Sequence, residues 1–255
     1  MISKNRSRKR VEEPIDALKP YKAVFGISPE VDGIADIIPF MTQQGYPAFI
    51  THTAATVEQT EQAIRAGAVH ATHFYDVFPY PGENDPGVRA CGTIEAILAS
   101  PQTSVDFILD GEHVDPVAVK MALACKDREK VCLITDANIC AGMPPGKYHA
   151  LSSDLEVFYD GGPARTGKTS RSPGVLAGSS LTMDRAVRNA IRLLAVSLPQ
   201  AVAMASANQA RVLGLNRTKG EIAVGYDADL VLLDDCLRVV DCWIGGRLAY
   251  DFNRN

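Results

Sequence analysis

The sequence predicts an α/β protein whose strands run parallel and are buried on both faces. Two observations predict it. Short apolar runs, "KAVFGI", "YPAFITHT", "AVHATHFY", "SVDFILDG" and "KVCLITDA", alternate with helical patterns at residues 33–44, 56–66, 92–99 and 116–125. Repeated strand–helix–strand is the signature of a parallel sheet or barrel. The ends of these runs, "THT", "THFYD", "DGEH" and "TDAN", also hold most of the chain's histidine. Parallel α/β folds meet their ligands at the C-terminal ends of their strands.

Taken in order, the chain opens on "MISKNRSRKR", which is basic and has no apolar segment behind it. A secretory leader is therefore not expected, and residues 1–21 read as a solvated, poorly ordered terminus. Gly67 suits the C-cap of the helix at 56–66, and residues 69–74 follow as a short strand. After Asp136 the texture changes. "ANICAGMPPGKYHA" reads as a Pro/Gly loop, and "DLEVFYDGGPARTGKTSRSPGVLAGSS" as strands joined by turns. "SLTMDRAVRNAIRLLA" and "SLPQAVAMASANQARVLG" are amphipathic helices, each opening at a Ser fit for an N-cap, with Pro199 early in the second. Residues 216–255 alternate apolar and polar positions around Gly turns, as a small antiparallel sheet does.

The composition, 46% hydrophobic and 22% charged over 255 residues, is that of a soluble globular protein. A net charge of −4 argues against nucleic acid as a principal partner. No apolar run approaches the ~18 residues of a membrane span. The 6 cysteines form no Cys-x-x-Cys pair, which fits neither a disulfide framework nor a zinc ribbon. A reducing, cytoplasmic location is expected.

The candidate chemistry lies in His52, His73, His113 and Asp136, each at the end of a successive candidate strand. Imidazoles suit a divalent transition metal, which acidifies a bound water, and a nearby carboxylate can take the proton. His70 precedes His73 by an odd number of residues, so on a strand it faces the other way. It is expected to be a hydrogen-bonded core residue, and His149 a solvated loop residue. Residues 162–169, "GPARTGKT", formally match a phosphate-binding loop, but Pro173 and Gly174 leave no room for the helix such a loop needs.

The motifs "ITHTAAT", "ATHFYDVFPY", "DFILDGEHVD", "LITDA", "LAGSSLTM" and "ASANQARVLGL…GEIAVGYDADLVLLD", in this order, resemble those of N-acetylglucosamine-6-phosphate deacetylases of the amidohydrolase superfamily. The resemblance implies a (β/α)8 barrel with a small β-sandwich, and removal of acetyl from an N-acetylated amino sugar. It implies a divalent metal, zinc before iron, held by His52 and His73. His113 would polarise the amide carbonyl, and Asp136 would serve as general base and then acid. Asp76, Val77, Asn84, His113, Leu176, Ala177 and Gly178 would line the sugar. The resemblance also implies a homodimer.

Departures accompany it. The family's third metal ligand lies in a His-Leu-Glu-Gly-Pro motif that this sequence lacks, and Glu30 is not an obvious substitute. Five candidate strands correspond to the family's last five. The expectation is therefore an incomplete barrel over residues 22–215 with a sandwich segment at 216–255. The chain would then be a fragment, or a partner would supply the rest. Asp76-Val77 stands where the family has Asn-Ala, and Asn84 where it usually has Arg, which weakens the case for a phosphorylated substrate. The competing readings are a non-catalytic remnant that needs a partner chain and an amidohydrolase acting on a cyclic amide.

Overall fold

The computed structural model describes residues 4–82, 85–149, 156–159, 162–168 and 170–252. Helix α1 (Lys4–Leu18) opens the chain, where the sequence suggested a poorly ordered terminus. Its Lys, Arg, Glu and Leu residues are good helix formers, and Ile15 is buried, at 2% exposure. A helix that buries an apolar residue is not a solvated tail.

The five expected strands are present and shorter than their apolar runs: β1 (Phe25–Ile27), β2 (Ala48–Ile50), β3 (Ala68–Ala71), β4 (Ser104–Ile108) and β5 (Val131–Ile134). They form one sheet in the order β1-β2-β3-β4-β5, with β1–β2, β2–β3 and β3–β4 each paired parallel. Every residue of β2 and β4 is buried, as expected of strands covered on both faces. The intervening helices are α2 (Ile34–Gln43), α3 (Val57–Ala66), α4 (Thr93–Ala99) and α5 (Pro116–Cys125). Helix α3 starts on a capping box: Thr56 Oγ1 accepts from the Gln59 amide at 3.2 Å, and the Gln59 side chain accepts from the Thr56 amide at 2.9 Å. It ends at Gly67, which is left-handed (φ 117°) as expected.

Beyond β5, strands β6 (Gly146–His149), β7 (Glu156–Tyr159) and β8 (Arg165–Thr166) form an antiparallel sheet. His149 therefore lies on a strand and not in a loop, with its side chain exposed. Strand β8 occupies the middle of the phosphate-loop look-alike, whose Lys168 is exposed and whose Thr169 lies outside the described residues.

Helix α6 (Met183–Leu194) is capped at Thr182 and not at Ser180, whose hydroxyl donates to the Gly162 carbonyl at 2.9 Å. The next expected helix is two, α7 (Leu198–Ala205) and α8 (Ala207–Val212). Ser206, at φ −145° and ψ −75°, breaks it. Strands β9 (Leu230–Leu233), β10 (Val239–Ile244) and β11 (Arg247–Asp251) make the expected antiparallel sheet of the tail.

The chain divides into two compact units, Met1–Asp106 with Met121–Lys130, and Phe107–Lys120 with Val131–Asn255. Ile38, Met41, Ile50, Phe74, Ile97 and Val105 are buried in the first; Phe107, Ile108, Leu109, Val119 and Leu133 are buried in the second. Among the described residues no helix is long and apolar enough to cross a membrane.

Candidate active site

In the first unit, His52 and His73 follow β2 and β3 and lie ring to ring, edge-on, with centroids 4.7 Å apart. Strand β3 stops at Ala71, short of the expected 74, so strand alternation does not aim His73. A turn does. His52 (φ 47°) and His73 (φ 35°) both sit in left-handed backbone, which disfavours a residue with a Cβ. The His73 ring is held at both nitrogens: Nε2 lies 2.9 Å from Thr51 Oγ1, and Nδ1 lies 3.3 Å from the Asp76 carbonyl oxygen. A carbonyl only accepts, so Nδ1 is the donor to Asp76. A backbone carbonyl on the far nitrogen is the usual support of a metal-bound imidazole.

The turn after β1 fastens the His52 loop. Ser28 Oγ donates to the Thr51 and His52 carbonyls, at 3.2 Å each. Glu30 accepts from the Thr53 hydroxyl and, at 3.0 Å, from the Ala54 amide. Burial pushes the Glu30 carboxyl up, but these bonds outweigh it and hold the carboxyl below its ordinary range. Glu30 thus supports the loop that carries His52. His70 is buried and hydrogen-bonded, to Ser104 and Asp106, as the sequence suggested.

Asp76 turns its backbone to His73: its amide donates to the His73 carbonyl at 2.9 Å, and its own carbonyl faces the His73 ring. Val77 is exposed and left-handed (φ 56°). Asn84 lies outside the described residues.

In the second unit, His113 is anchored by Asp110, a residue that the sequence pattern did not single out. Nδ1 meets Asp110 Oδ2 at 2.7 Å, and Oδ1 accepts from the Glu112 and His113 amides at 2.9 and 3.0 Å. Burial pushes the Asp110 carboxyl up, but the His113 ring and the two amides outweigh it and hold it below the ordinary carboxylate range. The His113 side chain is 4% exposed. An ionised carboxylate on Nδ1 stabilises the ring whenever its other nitrogen donates to a substrate. The "DGEH" spacing of three residues within one turn was the available signal.

Asp136, two residues past the end of β5, is exposed and left-handed (φ 44°). The segment Leu176, Ala177, Gly178 runs beside it. The Asp136 carbonyl accepts from the Ser179 amide at 2.7 Å, the Asn138 amide donates to the Ser179 carbonyl at 3.0 Å, and Asn138 Nδ2 donates to the Ala177 carbonyl. A Cβ on Gly178 would stand 2.7 Å from the Asp136 carbonyl oxygen, so only glycine permits this approach. The structure thus joins His52 with His73, and Asp136 with Ala177 and Gly178.

The donor set tests the fit to a metal. His52 and His73 supply two adjacent imidazoles, one with its Nδ1 turned to a backbone carbonyl. Among the described residues no three His, Cys, Asp or Glu side chains gather into a metal-holding group. The two histidines fit as ligands, and no third joins them among the described residues.

Polar side chains lie just past the ends of the parallel strands, where α/β folds meet their ligands, and the chain belongs to the amidohydrolase family, which residues 48–249 match. It is 36% identical over 226 residues to an N-acetylgalactosamine-6-phosphate deacetylase of Escherichia coli O157:H7, covering 89% of this chain and 56% of that relative. It is 34% identical over 225 residues to an N-acetylglucosamine-6-phosphate deacetylase of Vibrio furnissii, covering 88% and 53%. The crystal structure of N-acetyl-D-glucosamine-6-phosphate deacetylase from Mycobacterium smegmatis superimposes with a TM-score of 0.84 at 31% identity, covering 95% of this chain and 62% of that one. The chain spans little more than half the length of the curated relatives it matches.

Proposed function

We propose that the protein hydrolyses the amide of an N-acetylated amino-sugar phosphate, releasing acetate and the free amine. The observation that carries this reading is the His52–His73 pair at 4.7 Å, with His73 Nδ1 turned to the Asp76 carbonyl. Family membership and the activities in the relatives' names give the reaction class. His52 and His73 would hold a divalent metal, zinc or iron, which supplies Lewis acidity toward the amide carbonyl and toward water.

The chain's own residues perform the proton and charge work. Asp136 takes the proton of the attacking water and returns it to the departing amine nitrogen. His113, its Nδ1 held by Asp110, donates from Nε2 to the amide oxygen as negative charge develops there. By the family resemblance, Asp76, Val77, Asn84, His113, Leu176, Ala177 and Gly178 would line the sugar. We read residues 22–215 as a partial (β/α)8 barrel that holds about the last five of its strands, with 216–255 as a small β-sandwich segment. We further propose a homodimer in the cytoplasm. The reading requires a further metal ligand, because the sequence has no His-Leu-Glu-Gly-Pro motif.

The test is acetate release from N-acetylglucosamine-6-phosphate, N-acetylgalactosamine-6-phosphate and the unphosphorylated sugars. Asp136→Asn is expected to abolish release while metal content is retained; unchanged turnover refutes the roles given. Preference for an unphosphorylated sugar would mark the Asp76 carboxylate as repelling phosphate. The lack of a three-ligand group among the described residues favours a second reading, a non-catalytic remnant. Failure of the zinc-supplied chain both to retain metal and to release acetate would support it.

A further inference from the structure

One buried carboxylate fastens both the strand that carries His70 and the turn that carries His73. Asp106, on β4, is 4% exposed, and His70, on β3, is 2% exposed. Asp106 Oδ2 accepts from His70 Nε2 at 2.8 Å and from Thr72 Oγ1 at 3.0 Å. Its Oδ1 accepts from the His73 amide at 2.5 Å. The Asp106 main-chain carbonyl takes the next amide, that of Phe74, at 2.9 Å. Behind the imidazole, His70 Nδ1 meets Ser104 Oγ at 2.6 Å, and Ser104 Oγ lies 3.2 Å from the Val69 carbonyl oxygen. Phe49 closes the other side, its ring centroid 4.4 Å from that of His70.

The arrangement answers two physical needs at once. Where β3 leaves the sheet, the His73 and Phe74 amides lose their ladder partners, and a buried amide without an acceptor is costly. Asp106 satisfies both, one with its side chain and one with its backbone. His73 also sits at φ 35°, a conformation that is strained for a residue with a Cβ and persists only where its surroundings enforce it. A charge-assisted bond to the His73 amide is such an enforcement. The carboxylate in turn needs donors to remain buried, and His70 Nε2–H and Thr72 supply them.

We propose that Asp106 and His70 are positioning residues for His73. Asp106 sets the left-handed turn that presents the His73 imidazole, and His70 acts on His73 only by fixing Asp106. The proposal rests on the reading of His73 as a metal ligand, and it adds a support that passes through the ligand's backbone amide instead of its ring.

The test uses the full chain with zinc as the probe. It measures zinc affinity by chelator competition, stability by urea unfolding, and amide hydrogen exchange at His73 and Phe74. His73→Ala is the reference for loss of a ligand. Asp106→Ala is expected to weaken zinc binding about 10–100-fold, the range for lost support of a metal ligand, and to speed His73 amide exchange at least tenfold. His70→Leu is expected to weaken zinc binding in the same direction, and His70→Gln, which keeps a donor toward Asp106, to restore most of it. A purely structural network would not give rescue by Gln at equal stability. If Asp106→Ala does not fold, Asp106→Asn and Ser104→Ala carry the comparison.

Zinc affinity within twofold of wild type in the His70 and Asp106 variants, with His73→Ala defective, overturns the proposal and leaves the metal-ligand reading intact. Unchanged zinc binding in His73→Ala overturns that reading and, with it, the proposal. Faster His73 amide exchange in Asp106→Ala would then show only that Asp106 sets the turn.

Discussion

Gly178→Ala isolates the close approach beside Asp136. At φ 56° an alanine is strained by about 1 kcal/mol or slightly more. Its Cβ would also stand 2.7 Å from the Asp136 carbonyl oxygen, closer than real Cβ atoms come, so the two segments must separate. Separation stretches the Ser179 amide bond to that carbonyl, now 2.7 Å, which is worth about 0.5–1.5 kcal/mol. The sum is a destabilisation of roughly 1.5–2.5 kcal/mol. Gly245 supplies a matched control: it has the same φ of 56°, and a Cβ placed there would meet nothing within 4 Å. Gly245→Ala should therefore cost only the conformational part, about 1 kcal/mol. Urea unfolding of both variants against wild type gives the difference directly. Equal destabilisation of the two would refute the reasoning, because the contact with Asp136 would then contribute nothing.

Other perturbations follow from the same structure. Lys126, 6% exposed, donates to the Ile97 and Ser100 carbonyls and to Thr103 Oγ1, and burial, with Lys130 beside it, lowers its pKa to about 8. The unfolded chain, with an ordinary lysine near 10.5, binds more protons than the folded one between these values. Stability should therefore rise with pH across that window, by at most about 3 kcal/mol, and Lys126→Met should flatten the rise in urea midpoints measured across it. Asp110→Asn should cost about 1.5–3 kcal/mol at neutral pH. Because the folded carboxyl lies below its ordinary value, that stabilisation is present above the unfolded pKa and lost as pH falls through the folded one, so wild type and variant should converge in acid; a constant gap would refute the assignment. Thr56→Ala removes the cap of α3 and should lower stability by about 0.5–2 kcal/mol, read as an earlier thermal midpoint.

The five parallel strands were legible because strands buried on both faces leave continuous apolar runs that turn residues interrupt. The ends of those runs led to His52, His73, His113 and Asp136. What holds these residues was not legible. Asp106 lies inside the apolar run of β4, and its partner His70 is defined by the register that sets His70 opposite Ser104, which no local pattern contains. Glu30 reaches the His52 loop across 23 residues of sequence. Asp110 was within reach of a closer reading, since it lies three residues from His113 in a turn. Helix α1 was missed because its basic charge was weighed above its helix-forming residues, and Ser206 because a backbone break at an ordinary serine leaves no compositional mark.

Three candidate residues from three strands, His52, His73 and Asp136, share left-handed backbone. At each of them glycine would be conformationally more comfortable than the residue present. A library of variants selected only for thermal resistance should therefore accumulate glycine at these positions and so discard the imidazoles and the carboxylate. If these residues hold the roles proposed above, selection for durability and selection for chemistry pull this chain in opposite directions at the same three backbone positions, and any effort to make the protein hardier has to hold those positions fixed.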